Sequence, residues 1–376
     1  MYSLWRAAAV ASLTVSLLAT HTTIAQTRGT ERLEALSTAT VTHEDGRAIV
    51  QGLPTFGFPQ QMCTYIGSLE AALAVTEHPY DYAYLMGVSG MAFRLRAGRE
   101  SWGPSGPVGE FPGERKAVSA ATGWRFRRGD FPAMTEPHVE RYTDDIVASI
   151  DAGLPLLAYD ASWNVGVLIG YEDAGAATLM RVYDGGDDLQ STPTEDMLPY
   201  LVILDDHDDP PPPLEVLRRT LETAVSHWND DGGTWGETDY QHGKAVYERW
   251  IATLSDVESI DPDGLPGYRQ VSIWTYQTLC NAREAASKFL RSQAPILNGA
   301  ARDALVLAAT LYEEEHVLLL AGQEREHALM SHTSGSNASD WTREGVEPAR
   351  ETLRQAAELE EQAVVAIERT LAAMGR

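Results

Sequence analysis

Apolar positions fall into two regimes along this chain. Between residues 47 and 205 they come in compact runs bounded by Gly, Asp and Pro: Arg47 to Leu53, Leu154 to Tyr159, Val165 to Tyr171, Thr178 to Tyr183 and Tyr200 to Leu204. Short β-branched runs between such breakers predict strands. Two helical patterns interrupt them, Cys63 to Thr76 and one closing at Ile146 to Ala152. After residue 213 the period changes to about 3.6, with apolar residues three and four apart and Glu and Arg between them. Leu214 to Trp228, Gly243 to Leu254, Val271 to Leu290, Ala300 to Gly322 and Val346 to Met374 are the predicted helices. Asp205-Asp206-His207-Asp208-Asp209 and Pro210 to Pro213 separate the two regimes, and a proline run excludes both helix interior and central strand. The expectation is an α+β domain over 47–205, an acidic polyproline linker over 206–213 and an all-helical domain over 214–376. Residues 26–46 form an N-terminal extension. The final helix should pack antiparallel against Ala300 to Gly322, because its apolar face needs a partner.

The first 25 residues read as a signal peptide. Arg6 gives a positive start, Ala7 to Ala19 an apolar stretch and Thr23-Ile24-Ala25 a small-residue cleavage site. That stretch is shorter than the roughly twenty residues of a membrane helix, so no membrane span is expected after its removal. The expected location is secreted or periplasmic. The 376 residues carry 29 Lys+Arg against 54 Asp+Glu, a net charge of −25, which makes nucleic acid a poor partner. The two cysteines, Cys63 and Cys280, are too few for a disulfide scaffold and are expected to be unbridged. Nothing resembles a P-loop, a dinucleotide fingerprint or a zinc framework, so no cofactor or metal is expected. Glu313-Glu314-Glu315-His316 and Glu324-Arg325-Glu326-His327 carry the Glu-x-x-His spacing of di-iron bundles. Both copies fall on one helical stretch, so they read as a solvated acidic face. Asn337-Ala338-Ser339 fits a glycosylation acceptor, a common triplet.

Cys63 opens a helix of small residues (Gly67, Ser68, Ala71, Ala72), and a thiol at a helix N-terminus is positioned for thiolate stabilisation. Its other reading is a small buried hydrophobe. Further along come Leu85-Met86-Gly87-Val88-Ser89-Gly90-Met91-Ala92-Phe93-Arg94, Ile150-Asp151-Ala152-Gly153-Leu154-Pro155-Leu156 and Trp163-Asn164-Val165-Gly166-Val167-Leu168-Ile169-Gly170-Tyr171-Glu172-Asp173. In this order, over roughly Gly52 to Leu204, the pieces resemble the papain-like double-glycine bacteriocin-processing peptidases. They resemble more closely the N-terminal domain of the butirosin-biosynthesis acyltransferase family. The resemblance implies a papain-like fold, a Cys nucleophile, a His base on a later strand and an Asp or Asn orienter.

The departures shape the functional expectation. The position of the base, six before the Gly of Gly170-Tyr171, holds Asn164, and no His lies between His138 and His207. An amide cannot accept the thiol proton. The oxyanion-hole Gln, six before the Cys, is replaced by Gly57, with Gln60 and Gln61 as nearby substitutes. Asp184 falls where the orienting acid would stand. His78 and His138 are the distant histidines that could serve instead. The expected function is therefore a degenerate peptidase acting as a peptide- or small-molecule-binding module, leaning away from enzymatic activity. The helical domain would be available to a protein partner. The alternative is an acyltransferase or amide/thioester hydrolase using Cys63. Trp102 and Trp163, with Gln60 and Gln61, are candidate binding residues beside the site positions Cys63, Asn164 and Asp184. Trp102, Trp124 and Trp163 are aromatic walls of the kind small-ligand sites use, or core. Tyr247 and Trp250, one face of the segment at Lys244, read as core.

Overall fold

The structure is a computed structural model and describes residues 32–98, 112–130, 136–198, 200–229, 240–325 and 341–375. The signal segment, Trp102, the Asn337 triplet and Glu326-His327 lie outside the described residues. In chain order the elements are β1 (Val41–Glu44), β2 (Arg47–Val50), α1 (Thr64–Leu73), α2 (Tyr82–Val88), β3 (Arg96–Gly98), α3 (Pro112–Thr122), β4 (Trp124–Asp130) and α4 (Glu136–Asp151). There follow β5 (Leu156–Tyr159), β6 (Val165–Glu172), β7 (Ala177–Arg181), β8 (Leu189–Pro193) and β9 (Tyr200–His207). The last group is α5 (Pro213–Asn229), β10 (Tyr240–His242), α6 (Lys244–Ser255), α7 (Leu265–Gln293), α8 (Gly299–Arg325) and α9 (Glu347–Met374). The fold is mixed helix and antiparallel sheet with a run of C-terminal helices.

The chain forms two compact units. The first comprises Met1–Thr55, Ala71–Pro79 and Arg125–His207, the second Phe56–Glu70, Tyr80–Trp124 and Asp208–Arg376. A division in sequence at residue 205 does not capture this, because the stretches around Cys63 and Met91 belong to the helical unit.

The first unit is organised on a sheet ordered β1-β2-β6-β5-β9-β4, with β7 on β6 and β8 on β7. The sheet starts upstream of Arg47, since Val41 pairs with Val50. β6 is the centre: Val165 to Tyr171 are all buried, which is why that segment reads as a continuous apolar run rather than an alternation. Gly170 sits at a register shift between β6 and β7, and a Cβ there would meet the Ala48 carbonyl, so this close strand approach requires glycine. α4 covers the sheet with Ile146 and Ile150, and the Tyr171 hydroxyl donates to Asp151 at 2.8 Å. The first part of the acidic run, Asp205 to His207, is instead the end of β9. Asp206 is buried there and paired with Arg32 and Arg125, so its charge is compensated within the unit. The connecting segment is reduced to Asp208–Pro212, and Pro213 begins α5, where a missing N–H costs nothing.

In the second unit, β3 and β10 form a small antiparallel pair. Trp228, Tyr247, Trp250, Tyr276, Leu279, Leu319, Leu353 and Ala356 belong to one apolar core drawn from α5 to α9. Tyr247 and Trp250 take the core face of α6, while Lys244 is exposed and pairs with Glu361 at 2.8 Å. α9 runs antiparallel to α8, as expected: a Cβ on Gly322 would strike Thr352, whereas Glu315 and Glu360 meet at Arg283. α7 starts at Leu265, six residues before its periodic pattern, because Pro266 fits the first turn of a helix. α2 packs on α7, with Gly87 against the Phe289 ring. None of the described helices is long and apolar enough to cross a membrane.

Candidate functional site

Cys63 precedes α1, and its carbonyl accepts the first helical hydrogen bond from the Gly67 N–H at 2.9 Å. It is thus the N-cap residue that the small-residue pattern places at a helix start. Its side chain, however, is inside: Cys63 is 0% exposed, and Sγ lies 3.5 Å from the Met91 sulfur. Its N–H donates to the Tyr82 hydroxyl at 3.0 Å, and that hydroxyl donates to Asn281 Oδ1 at 2.8 Å. Asn281 also accepts from the Met62 N–H at 3.3 Å and donates to the Gln60 carbonyl at 3.0 Å. One asparagine on α7 therefore fixes the backbone on the approach to Cys63.

Next to this anchor the second unit has a cavity of about 300 Å³, whose wall includes Gln60, Gln61, Glu70, Tyr82, Asn281 and Lys288. Gln61 takes the Gly57 N–H at 3.0 Å on Oε1 and donates its amide to Glu70. Glu70 also accepts from the Tyr82 N–H at 2.8 Å. Burial pushes the Glu70 carboxyl above its ordinary value, against the hydrogen bonds from Tyr82 and Gln61 that favour the charged form. Gln60 and Gln61 are thus pocket residues, whereas the Cys63 thiol is not among the lining groups.

Asn164 and Asp184 belong to the first unit, at one end of its sheet. Asn164 closes the turn between β5 and β6: its N–H and that of Ser162 donate to Asp160 Oδ1 at 2.9 and 2.8 Å. Its carbonyl accepts from the Asp160 N–H at 2.8 Å. Across the next ladder Val167 lies opposite Arg181, so the same register carried three residues further would set Asn164 opposite Asp184. The ladder stops short of that. β7 ends at Arg181 rather than Tyr183, and the chain turns through Asp184 with φ 61°, leaving that carboxylate exposed. Trp163 caps the same end of the sheet. It is 65% exposed, tilted over Tyr159 at 5.8 Å, and holds φ at 63°, a left-handed conformation that a bulky residue adopts at a cost.

No known protein-family model matches the chain, and no curated protein matches it. What the arrangement can do rests on its own chemistry. Of the histidines considered as substitutes, His78 stacks face to face on His207 at 3.6 Å within the first unit. The side chain of His138 lies outside the described residues. Neither cysteine is in a disulfide, and both are buried.

Two features escaped the sequence reading. Cys280, on α7, places Sγ 3.5 Å from His316 Nδ1, while that nitrogen is 2.9 Å from the Cys280 carbonyl oxygen. The pair is not an activated thiol: burial first, then Glu284 and Glu315, pushes the Cys280 thiol up to about 12. The second feature is the burial of one glutamate in the expected acidic face. Glu313 and Glu314 are exposed, as a solvated acidic face requires, but Glu315 between them is fully buried and paired with Arg283. Among the described residues no group of three or more His, Cys, Asp or Glu is placed to hold a metal.

Proposed function

We propose that this protein is a binding module of papain-like descent, exported from the cytoplasm, in which the cysteine-peptidase chemistry has been lost. The observation that carries this reading is the complete burial of Cys63 against Met91. A nucleophile must reach the carbonyl carbon it attacks, and a thiol with no exposed surface cannot do so in this conformation. The sheet supports the papain-like part of the reading. The β6–β7 register, carried three residues past the end of the ladder, would set Asn164 opposite Asp184 as a base and its orienter would be set, yet one is an amide and the other sits in a solvent-exposed turn. The polar cavity at Gln60 and Gln61, with donors and acceptors from Tyr82, Asn281, Glu70 and Lys288, is the place for a small polar ligand or a peptide end. Export rests on the charge and apolar pattern of residues 1–25.

The alternative, acyl transfer or thioester hydrolysis through Cys63, requires that the thiol become exposed. Incubating the full chain with peptide and thioester substrates separates the two. The binding reading predicts no turnover and no difference between wild type and Cys63→Ala. Turnover abolished by Cys63→Ala would establish the enzyme instead.

A further inference from the structure

Four helices of the second unit meet at a cluster with more negative than positive charge. Arg283 of α7 is fully buried; its Nη2 donates to both Glu360 oxygens at 2.6 and 2.7 Å, and its Nη1 donates to the Ala92 carbonyl at 2.8 Å. Its Nε donates to Glu315 Oε1 at 3.2 Å, and the Tyr247 hydroxyl of α6 donates to the same oxygen at 2.8 Å. Glu315 Oε2 is buried without a hydrogen-bond partner among the described residues, as is the Tyr312 hydroxyl one turn earlier. One guanidinium therefore faces two carboxylates, one of which has a buried oxygen with no hydrogen-bond donor from the described residues. Arg94 and Arg96, also fully buried, have partners elsewhere: Arg94 pairs with Glu114, and Arg96 lies over the Tyr240 ring at 4.7 Å.

One buried guanidinium balances one of the two buried carboxylates, and a second buried carboxylate without its own counter-charge takes up a proton. We propose that this cluster is a buried proton-binding site, in which Glu315 holds a proton in the folded protein while Glu360 alone balances Arg283. Burial first, and the neighbouring Glu360 second, raise Glu315 from 4.5 to about 8, with Arg283 and Tyr247 opposing. Three neighbouring groups titrate outside that range. Tyr247 and Tyr312 are raised well above their ordinary value, and Cys280 stands at about 12.

The sign follows from linkage. Below 4.5 the folded and unfolded chains both carry the proton. Between 4.5 and about 8 only the folded chain does, so stability falls as pH rises through this window and levels off above it. Glutamine mimics the protonated acid and cannot titrate. Denaturant unfolding of the full chain, wild type against Glu315→Gln, therefore isolates the site from every other pH effect. The ratio of wild-type to variant folding constants should fall towards about tenfold per pH unit inside the window and stay flat above it. A ratio independent of pH overturns the proposal. Infrared spectroscopy of the folded protein near neutral pH provides the second test: the carbonyl stretch of a buried carboxylic acid should be present in wild type and missing from Glu315→Gln. Its absence from wild type overturns the proposal even if the variant fails to fold.

Discussion

The surroundings of Cys63 and those of Asn164 and Asp184 differ in almost every physical respect. In the second unit, the backbone before Cys63 is tied through Tyr82 to Asn281, and the thiol is sealed against Met91. In the first unit, the sheet end carrying Asn164 and Asp184 is open, with a carboxylate in solvent and Trp163 standing 65% exposed. A working nucleophile and base would be built the other way round, with the thiol reachable and the base held in place by its orienter. Packing governs the Cys63 segment, whereas the Asn164 end is held by the Asp160 turn and the Trp163–Tyr159 ring contact.

That contrast can be broken at the interior of the helical unit, where the largest effect is expected. Arg283→Ala would leave Glu315 and Glu360 facing each other without a cation, and breaking such a pair costs about 3–5 kcal/mol. Chemical denaturation measures this directly, and a loss below 1 kcal/mol would mean that the cluster opens to water. Cys63→Ser comes next. The hydroxyl would be buried in a niche shaped for sulfur, at about 1–3 kcal/mol. A neutral result would place water beside residue 63 and reopen the nucleophile reading. The smallest effect is expected at the open end: Trp163→Ala should change stability by no more than about 0.5 kcal/mol, because the side chain is mostly in solvent. A larger loss would make the Tyr159–Trp163 contact part of the core and erase the difference between the two regions.

The helices after residue 213 were legible in the sequence because their apolar period is close to 3.6, whereas α2 and α3 were not read from it. Leu214 to Trp228 became Pro213–Asn229, and Gly243 to Leu254 became Lys244–Ser255. β6 was equally clear as an unbroken apolar run. Buried charge was not legible. Glu315 lies in a run of three glutamates, and Arg283 and Glu360 are 32 and 45 residues away from it, so only the packing of α7, α8 and α9 shows that they pair. Asp206 was hidden in the same way, since its partners Arg32 and Arg125 come from distant segments. Local composition signals solvation by default, and long-range pairing overrides it. At the candidate site, the sequence placed Cys63 at a helix start and Gln60 and Gln61 nearby. Whether the thiol faces a cleft or the core depends on Met91, Tyr82 and Asn281, and no spacing rule links them.

The accessibility of Cys63 in the folded protein tests the account most directly. The full chain is treated with a small alkylating reagent under native conditions, and mass spectrometry of the digested protein reads Cys63 and Cys280 separately. Both thiols are buried, and the Cys280 thiol is raised to about 12, so neither should be modified until denaturant unfolds the chain. Rapid, stoichiometric alkylation of Cys63 in the native state, with Cys280 untouched, would contradict the binding-module reading and point to a reachable nucleophile.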